Sequence, residues 1–165
     1  MTTQYIVKFQ FQPKVFQGGW TNILHLTTGG NCCGYGNRIP GVWFHGSNGG
    51  AKTNKLHICS SVNGNGNNCY NSAGVPKGQW TSVEISQLLI DGSYQYTVKL
   101  DGKVVHPVVM KRVQAFANVK VYAADNWYNA AQGNIKNLVI NPKASMYLYI
   151  FPCIIWPKYY MKVKG

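Results

Sequence analysis

Two stretches of the chain set aromatic rings among amides and a guanidinium. Residues 124–129 read Ala-Asp-Asn-Trp-Tyr-Asn, and residues 31–44 carry Tyr35, Asn37, Arg38 and Trp43, with His45 just beyond. Aromatic faces stack on the C–H surfaces of sugar rings, while amides, hydroxyls and charged donors fix orientation. On that chemistry Trp127, Tyr128, Asn126, Tyr35, Arg38 and His45 are the candidate ligand contacts. Trp127 and Tyr128, between asparagines in a loop, are expected to be exposed, whereas Trp20 and Trp43 read as core residues.

Bond-breaking chemistry on a glycan finds less support. Glycoside hydrolysis needs two carboxylates flanking the bond, one as acid and one as nucleophile or base. The chain has one glutamate, Glu84, and three aspartates, Asp91, Asp101 and Asp125. Asp91 and Asp101 each precede a glycine and read as turn residues, and Glu84 reads as part of a solvated outward face. No two acids sit close along one strand, so a glycosidase is disfavoured.

Charge and cysteines bound the setting. Lysine and arginine number 16 against 4 acids, a net charge of +12 with a pI near 9.6. Residues 1–142 alone hold 12 basic and 4 acidic side chains, net +8, so the basic character belongs to the domain. Such a field attracts polyanions: nucleic acid, anionic lipid or acidic glycan. The lysines are scattered, with no recognition-helix pattern, which makes nucleic acid an unlikely partner. Of five cysteines, Cys59 and Cys69 flank a Gly/Asn-rich loop, residues 60–68, that would turn a hairpin and predicts a Cys59–Cys69 disulfide. Adjacent Cys32 and Cys33 do not bond easily to each other, so at least one is expected to be free or paired elsewhere, and Cys153 has no assigned partner. The cysteines show no zinc-ligand spacing, and a disulfide favours an extracellular, secreted protein. Residues 1–12 show no signal peptide, which is expected to be lost or lacking, and no Asn-x-Ser/Thr sequon occurs.

The elements that must position these side chains read as strands and turns throughout. Gly and Asn clusters at 18–19, 29–31, 34–36, 46–50 and 63–66 punctuate short β-branched and aromatic runs. Strands are expected near 4–12, 20–28, 41–44, 55–61, 79–88, 94–100, 103–107, 117–123 and 133–140. Tyr94, Tyr96, Val98 and Leu100 alternate with polar residues, and Asp101-Gly102 is the strongest hairpin signal. Many short, regularly spaced strands predict an all-β antiparallel two-sheet sandwich with almost no helix. The domain is expected to span residues 1–142. Residues 143–165 form an apolar and basic tail, too short and Pro-interrupted for a transmembrane span.

Residues 78–85, Gly-Gln-Trp-Thr-Ser-Val-Glu-Ile, then 94–103, Tyr-Gln-Tyr-Thr-Val-Lys-Leu-Asp-Gly-Lys, resemble the concanavalin A-like (laminin G-like) jelly-roll superfamily. Residues 119–122 and the closing Gly-Asn-Ile-Lys-Asn-Leu-Val-Ile of 133–140 extend that resemblance over about residues 5–140. It implies a jelly roll and a choice among lectins, adhesion modules, glycosidases and lyases. The glucanase signature of alternating acids on one strand is missing. A jelly-roll polysaccharide lyase would draw on His25, His45, His57, His106, Arg38 and tyrosines, yet the alginate-lyase motifs are not intact. Calcium, the other chemistry the resemblance brings, would have one weak candidate site at Asp125 with Asn126 and Asn129; no cofactor is otherwise expected. The reading is a non-catalytic extracellular carbohydrate- or matrix-binding, lectin-like module, with glycans, including acidic ones, as partners. A structural or protein-interaction domain touching matrix or cell-surface protein is the alternative.

Overall fold

The computed structural model describes residues 1–46, 50–142, 149–151 and 159–162, the last two stretches by backbone pairing alone. Its strands are β1 (Tyr5–Pro13), β2 (Thr21–Thr27), β3 (Gly41–Phe44), β4 (Leu56–Val62), β5 (Asn65–Asn71), β6 (Thr81–Ile90) and β7 (Ser93–Leu100). They continue with β8 (Lys103–Val109), β9 (Lys120–Ala123), β10 (Asn129–Ala130), β11 (Gly133–Asn141), β12 (Tyr149–Phe151) and β13 (Tyr159–Lys162). No helix occurs among the described residues. One sheet runs β12-β11-β1-β6-β7-β8; the other runs β13-β9-β2-β3-β4-β5, with β10 beside the start of β2. Every pairing is antiparallel except β10 with β2, and the two sheets pack as a jelly-roll sandwich.

Three hairpins turn on two residues each: Asn63-Gly64, Asp91-Gly92 and Asp101-Gly102. All six residues have positive φ, the backbone that matches strand twist in such turns. The first corrects an expectation. Residues 60–68 are not a loop, because the turn is only Asn63-Gly64 and the flanking residues pair as β4 and β5. That ladder sets Cys59 opposite Cys69, Cα atoms 4.1 Å apart, and the predicted disulfide joins them.

The core lies between the sheets and follows strand alternation. Tyr5, Val7, Phe9 and Phe11 of β1 point inward with Val83 and Ile85 of β6 and Tyr96 and Val98 of β7. Leu24, Leu26, Val42, Phe44, Leu56 and Ile58 meet them from the other sheet. In β11 the inward residues are Ile135, Leu138 and Ile140, a spacing broken at the bulge around Asn137, whose φ is +53°. Glu84, expected to be solvated, is held on the outer face by Lys8 at 2.9 Å and Lys99 at 3.1 Å. The tail meets both sheets, since β12 pairs with β11 and β13 with β9. Cys153 and most of the apolar run at 146–156 lie outside the described residues. No helix among those described is long and apolar enough to cross a membrane.

A second layer builds on the outer face of the β2–β5 sheet. Every residue of β2 and β3 is buried, so this sheet is covered on both sides. Trp43 is only 1% exposed yet stands outside the core cluster, on the face opposite Val42 and Phe44. It shares that face with His57, its cross-strand partner.

Candidate functional site

The outer face is glycine-permitted. A Cβ at Gly41 would overlap the Trp43 ring two residues on, so glycine lets the indole lie over the strand. A Cβ at Gly46 would likewise strike the Trp20 indole. With that room the rings gather. Trp20 lies 4.6 Å from His45 and 4.8 Å from His57 between ring centroids, and Trp43 lies 6.1 Å from Tyr128. The Arg38 guanidinium sits 4.6 Å over the Trp43 ring.

Two loops close over this layer, and His25 ties them together. The chain runs antiparallel to β2 in β9 and parallel to it in β10, so it reverses across residues 124–128. Asp125 starts that reversal: its Oδ1 accepts the backbone N–H of Trp127 at 3.1 Å and of Tyr128 at 3.0 Å. Its Oδ2 meets Nδ1 of the fully buried His25 at 2.9 Å. The other ring nitrogen of His25 donates to the carbonyl of Asn37 at 2.6 Å, in the second loop. Asn22 completes the anchor, its Oδ1 accepting the Asp125 N–H at 2.9 Å. Asp125, the weak calcium candidate, is thus fully buried with both oxygens engaged within the protein, the turn-starting role its position also allowed.

What remains between the loops is a recess of about 290 Å³ lined by Trp20, Cys32, Arg38, Trp43, His45, His57, Asn67 and Tyr128. Of the six sequence candidates it contains three: Tyr128, Arg38 and His45. Trp127, 40% exposed as expected, stands outside it against Tyr122 and His25, with exposed Asn126 beside it. Tyr35 is elsewhere, packed on Phe116 and lining a separate open depression with Gly64 and Arg112. The sequence reading left five lining residues out of the ligand contacts: Asn67 and Cys32 altogether, His57 because it was named only for the lyase alternative, and Trp20 and Trp43 because they read as core. Strand alternation was the available signal, because Trp43 sits between inward Val42 and Phe44 and must face outward.

The polar groups of the recess are few and mostly donors. Arg38 donates from Nε to the Asn31 carbonyl at 3.2 Å and from Nη1 to Asn67 Oδ1. Burial pushes its pKa down, partly offset by Tyr128 and Asp125. The Trp43 Nε1–H is buried without an acceptor. His57 sits with Nδ1 2.6 Å from Asn71 Oδ1 and Nε2 2.9 Å from Cys59 Sγ, and burial holds its pKa below the usual histidine value. His57, Cys59 and Cys69 present ligand atoms within 4.8 Å of one another, but both sulfurs are spent in the disulfide. Cys32 and Cys33 are joined to each other, contrary to expectation, and Cys32 presents part of that bridge at the rim. Close approach of this turn to β5 is possible because a Cβ at Gly66 would meet the backbone of Cys33 and Gly34.

No family model matches the chain, and no curated protein is similar to it. Among solved structures it is similar to the native heptameric SAP-like pentraxin from Limulus polyphemus, with 14% identity and a TM-score of 0.45. The match covers 84% of this chain and 64% of that one, so the chain spans less than two thirds of that protein's length.

Proposed function

We propose that this domain is a non-catalytic, extracellular, lectin-like module that binds carbohydrate in the recess between the two loops. The observation that carries the reading is the recess itself, about 290 Å³ walled by the rings of Trp20, Trp43, His45, His57 and Tyr128 with the Arg38 guanidinium among them. The indole of Trp20 and the phenol ring of Tyr128 supply stacking faces, and about 290 Å³ suits one sugar ring. Two disulfides fit an oxidising, extracellular setting. The resemblance to the concanavalin A-like superfamily supports the same reading.

Catalysis has little to work with. The four acids are accounted for: Glu84 bridges lysines on the other sheet, Asp91 and Asp101 turn hairpins, and Asp125 anchors a loop. The gathering of Arg38, His45, His57 and Tyr128 favours a lyase as the second reading, but the ring nitrogens of His57 face the Asn71 amide oxygen and the Cys59–Cys69 bridge. A glycan array with wild type and Trp20→Ala tests the binding reading: wild type should retain a defined glycan set that the variant loses. An array blank for wild type would move the interaction-domain reading ahead, and unsaturated product from a uronate polymer would establish the lyase.

A further inference from the structure

We propose that the recess is specific for an oxyanion carried on a single sugar ring, the carboxylate of a uronic acid or a sulfate ester, with Arg38 as its counter-charge. The inference rests on the carbohydrate reading above and names the class of sugar.

Arg38 is 6% exposed, and it lines the recess. The lysine–carboxylate ion pairs among the described residues are Lys8–Glu84 and Lys99–Glu84, neither of which includes it. Among the described residues its hydrogen-bond partners, the Asn31 carbonyl, the Asn67 amide oxygen and the Tyr128 hydroxyl, are all neutral. Asp125 acts on it only through space and is committed to His25 and the loop. A buried cation without an adjacent anion is costly, and the Trp43 face at 4.6 Å offsets only part of that. Guanidinium carries five N–H groups in a fork that matches an oxyanion, and the named bonds leave part of the fork open.

The recess offers the guanidinium as a charged donor, with no carboxylate among its lining residues to compete. A neutral sugar would leave that charge uncompensated, whereas a ring with one oxyanion supplies its counter-charge. The volume admits one ring, so the charge must sit on that ring rather than farther along a polymer. This separates the recess from the diffuse attraction of the surface lysines.

The test uses the full chain with its disulfides intact, titrated by ligand-observed NMR in about 0.15 M salt. Probes are glucuronate and galacturonate, their neutral hexoses glucose and galactose, and the 6-sulfated hexoses. A charged probe should bind at least about tenfold tighter than its neutral parent. Arg38→Gln should abolish that ratio, and Arg38→Lys should keep part of it. The uronate and sulfate arms tell which oxyanion is the source. Equal binding of charged and neutral probes overturns the inference and leaves the carbohydrate site standing. A charge preference that survives in Arg38→Gln assigns it to the lysines and overturns it too. Binding of no probe overturns both readings. If Arg38→Gln does not fold, the wild-type ratio and Arg38→Lys decide.

Discussion

At the scale of single residues, the recess depends on one glycine and the indole that it makes room for. Gly41→Ala puts a methyl group where the Trp43 ring lies, and both neighbours on that face, His25 and Cys59, are themselves buried. Overpacking of this kind costs on the order of 1–3 kcal/mol. Thermal melts of Gly41→Ala should show that loss, together with a changed tryptophan fluorescence as the indole leaves its place. Trp43→Phe is the complementary change, because it keeps a ring but a smaller one. Folding stability should fall only by the lost ring volume, about 1–2 kcal/mol. Glycan affinity should fall by about 1 kcal/mol as the ring on the recess wall shrinks. Unchanged affinity in a well-folded Trp43→Phe would remove that ring from the site.

At the scale of elements, His25 acts as the strut between two loops, and Asp125 is what it holds. Removing one member leaves the other buried without its partner, which costs about 3–5 kcal/mol for a buried pair. Asp125→Ala also strips the acceptor from the Trp127 and Tyr128 amides, so the 124–128 reversal should open to limited proteolysis before the sandwich melts. Trp127→Ala is expected to be mild for binding, because that ring lies outside the recess and rests on Tyr122 and His25. If Trp127→Ala weakens binding more than Trp20→Ala, the ligand sits over the loop instead. The Cys59–Cys69 bridge staples a hairpin that its turn and ladder already close. Replacing both cysteines by alanine should cost at most about 2–3 kcal/mol, read as a lower melting temperature.

For the whole molecule, acid should destabilise the fold from several directions at once. Burial lowers the pKa of His57 and of the partly exposed His106 below the ordinary histidine value. The unfolded chain therefore takes up protons first as pH falls, and stability drops from about pH 6.5 downward toward each folded value. Burial alone would raise the Glu84 pKa, but hydrogen bonds and charge from Lys8 and Lys99 outweigh it and bring it down. Its contribution is present above the usual carboxylate range and is lost as pH falls through the folded value. Melting temperature should thus be flat near neutrality and decline below about pH 6.5. His57→Gln should remove part of the upper limb of that decline. A melting temperature that rises between pH 7 and pH 5 would contradict both histidine assignments.

Much of the architecture was readable from local chemistry. Asn63-Gly64, Asp91-Gly92 and Asp101-Gly102 name their turns because so few residues tolerate two successive positive φ angles. Tyr96, Val98, Val83 and Ile85 name the inner face because a strand turns alternate side chains the same way. The Cys59–Cys69 pairing followed from that same register. Local pattern could not say that the β2–β5 sheet has two buried faces. A residue buried under a loop and a residue buried in the core carry the same hydrophobic signature, so Trp43 read as core. Likewise Tyr35 and Tyr128 have similar loop compositions, and only the packing of distant loops sends one to Phe116 and the other to Trp43. The joining of Cys32 to Cys33, the Asp125–His25–Asn37 strut and the uncompensated charge of Arg38 are decided by residues far apart along the chain. Composition and spacing determined that this chain forms a basic, disulfide-stapled sandwich. The meeting of the 31–38 and 124–128 loops, held by one buried histidine, decided where the ring-lined recess lies.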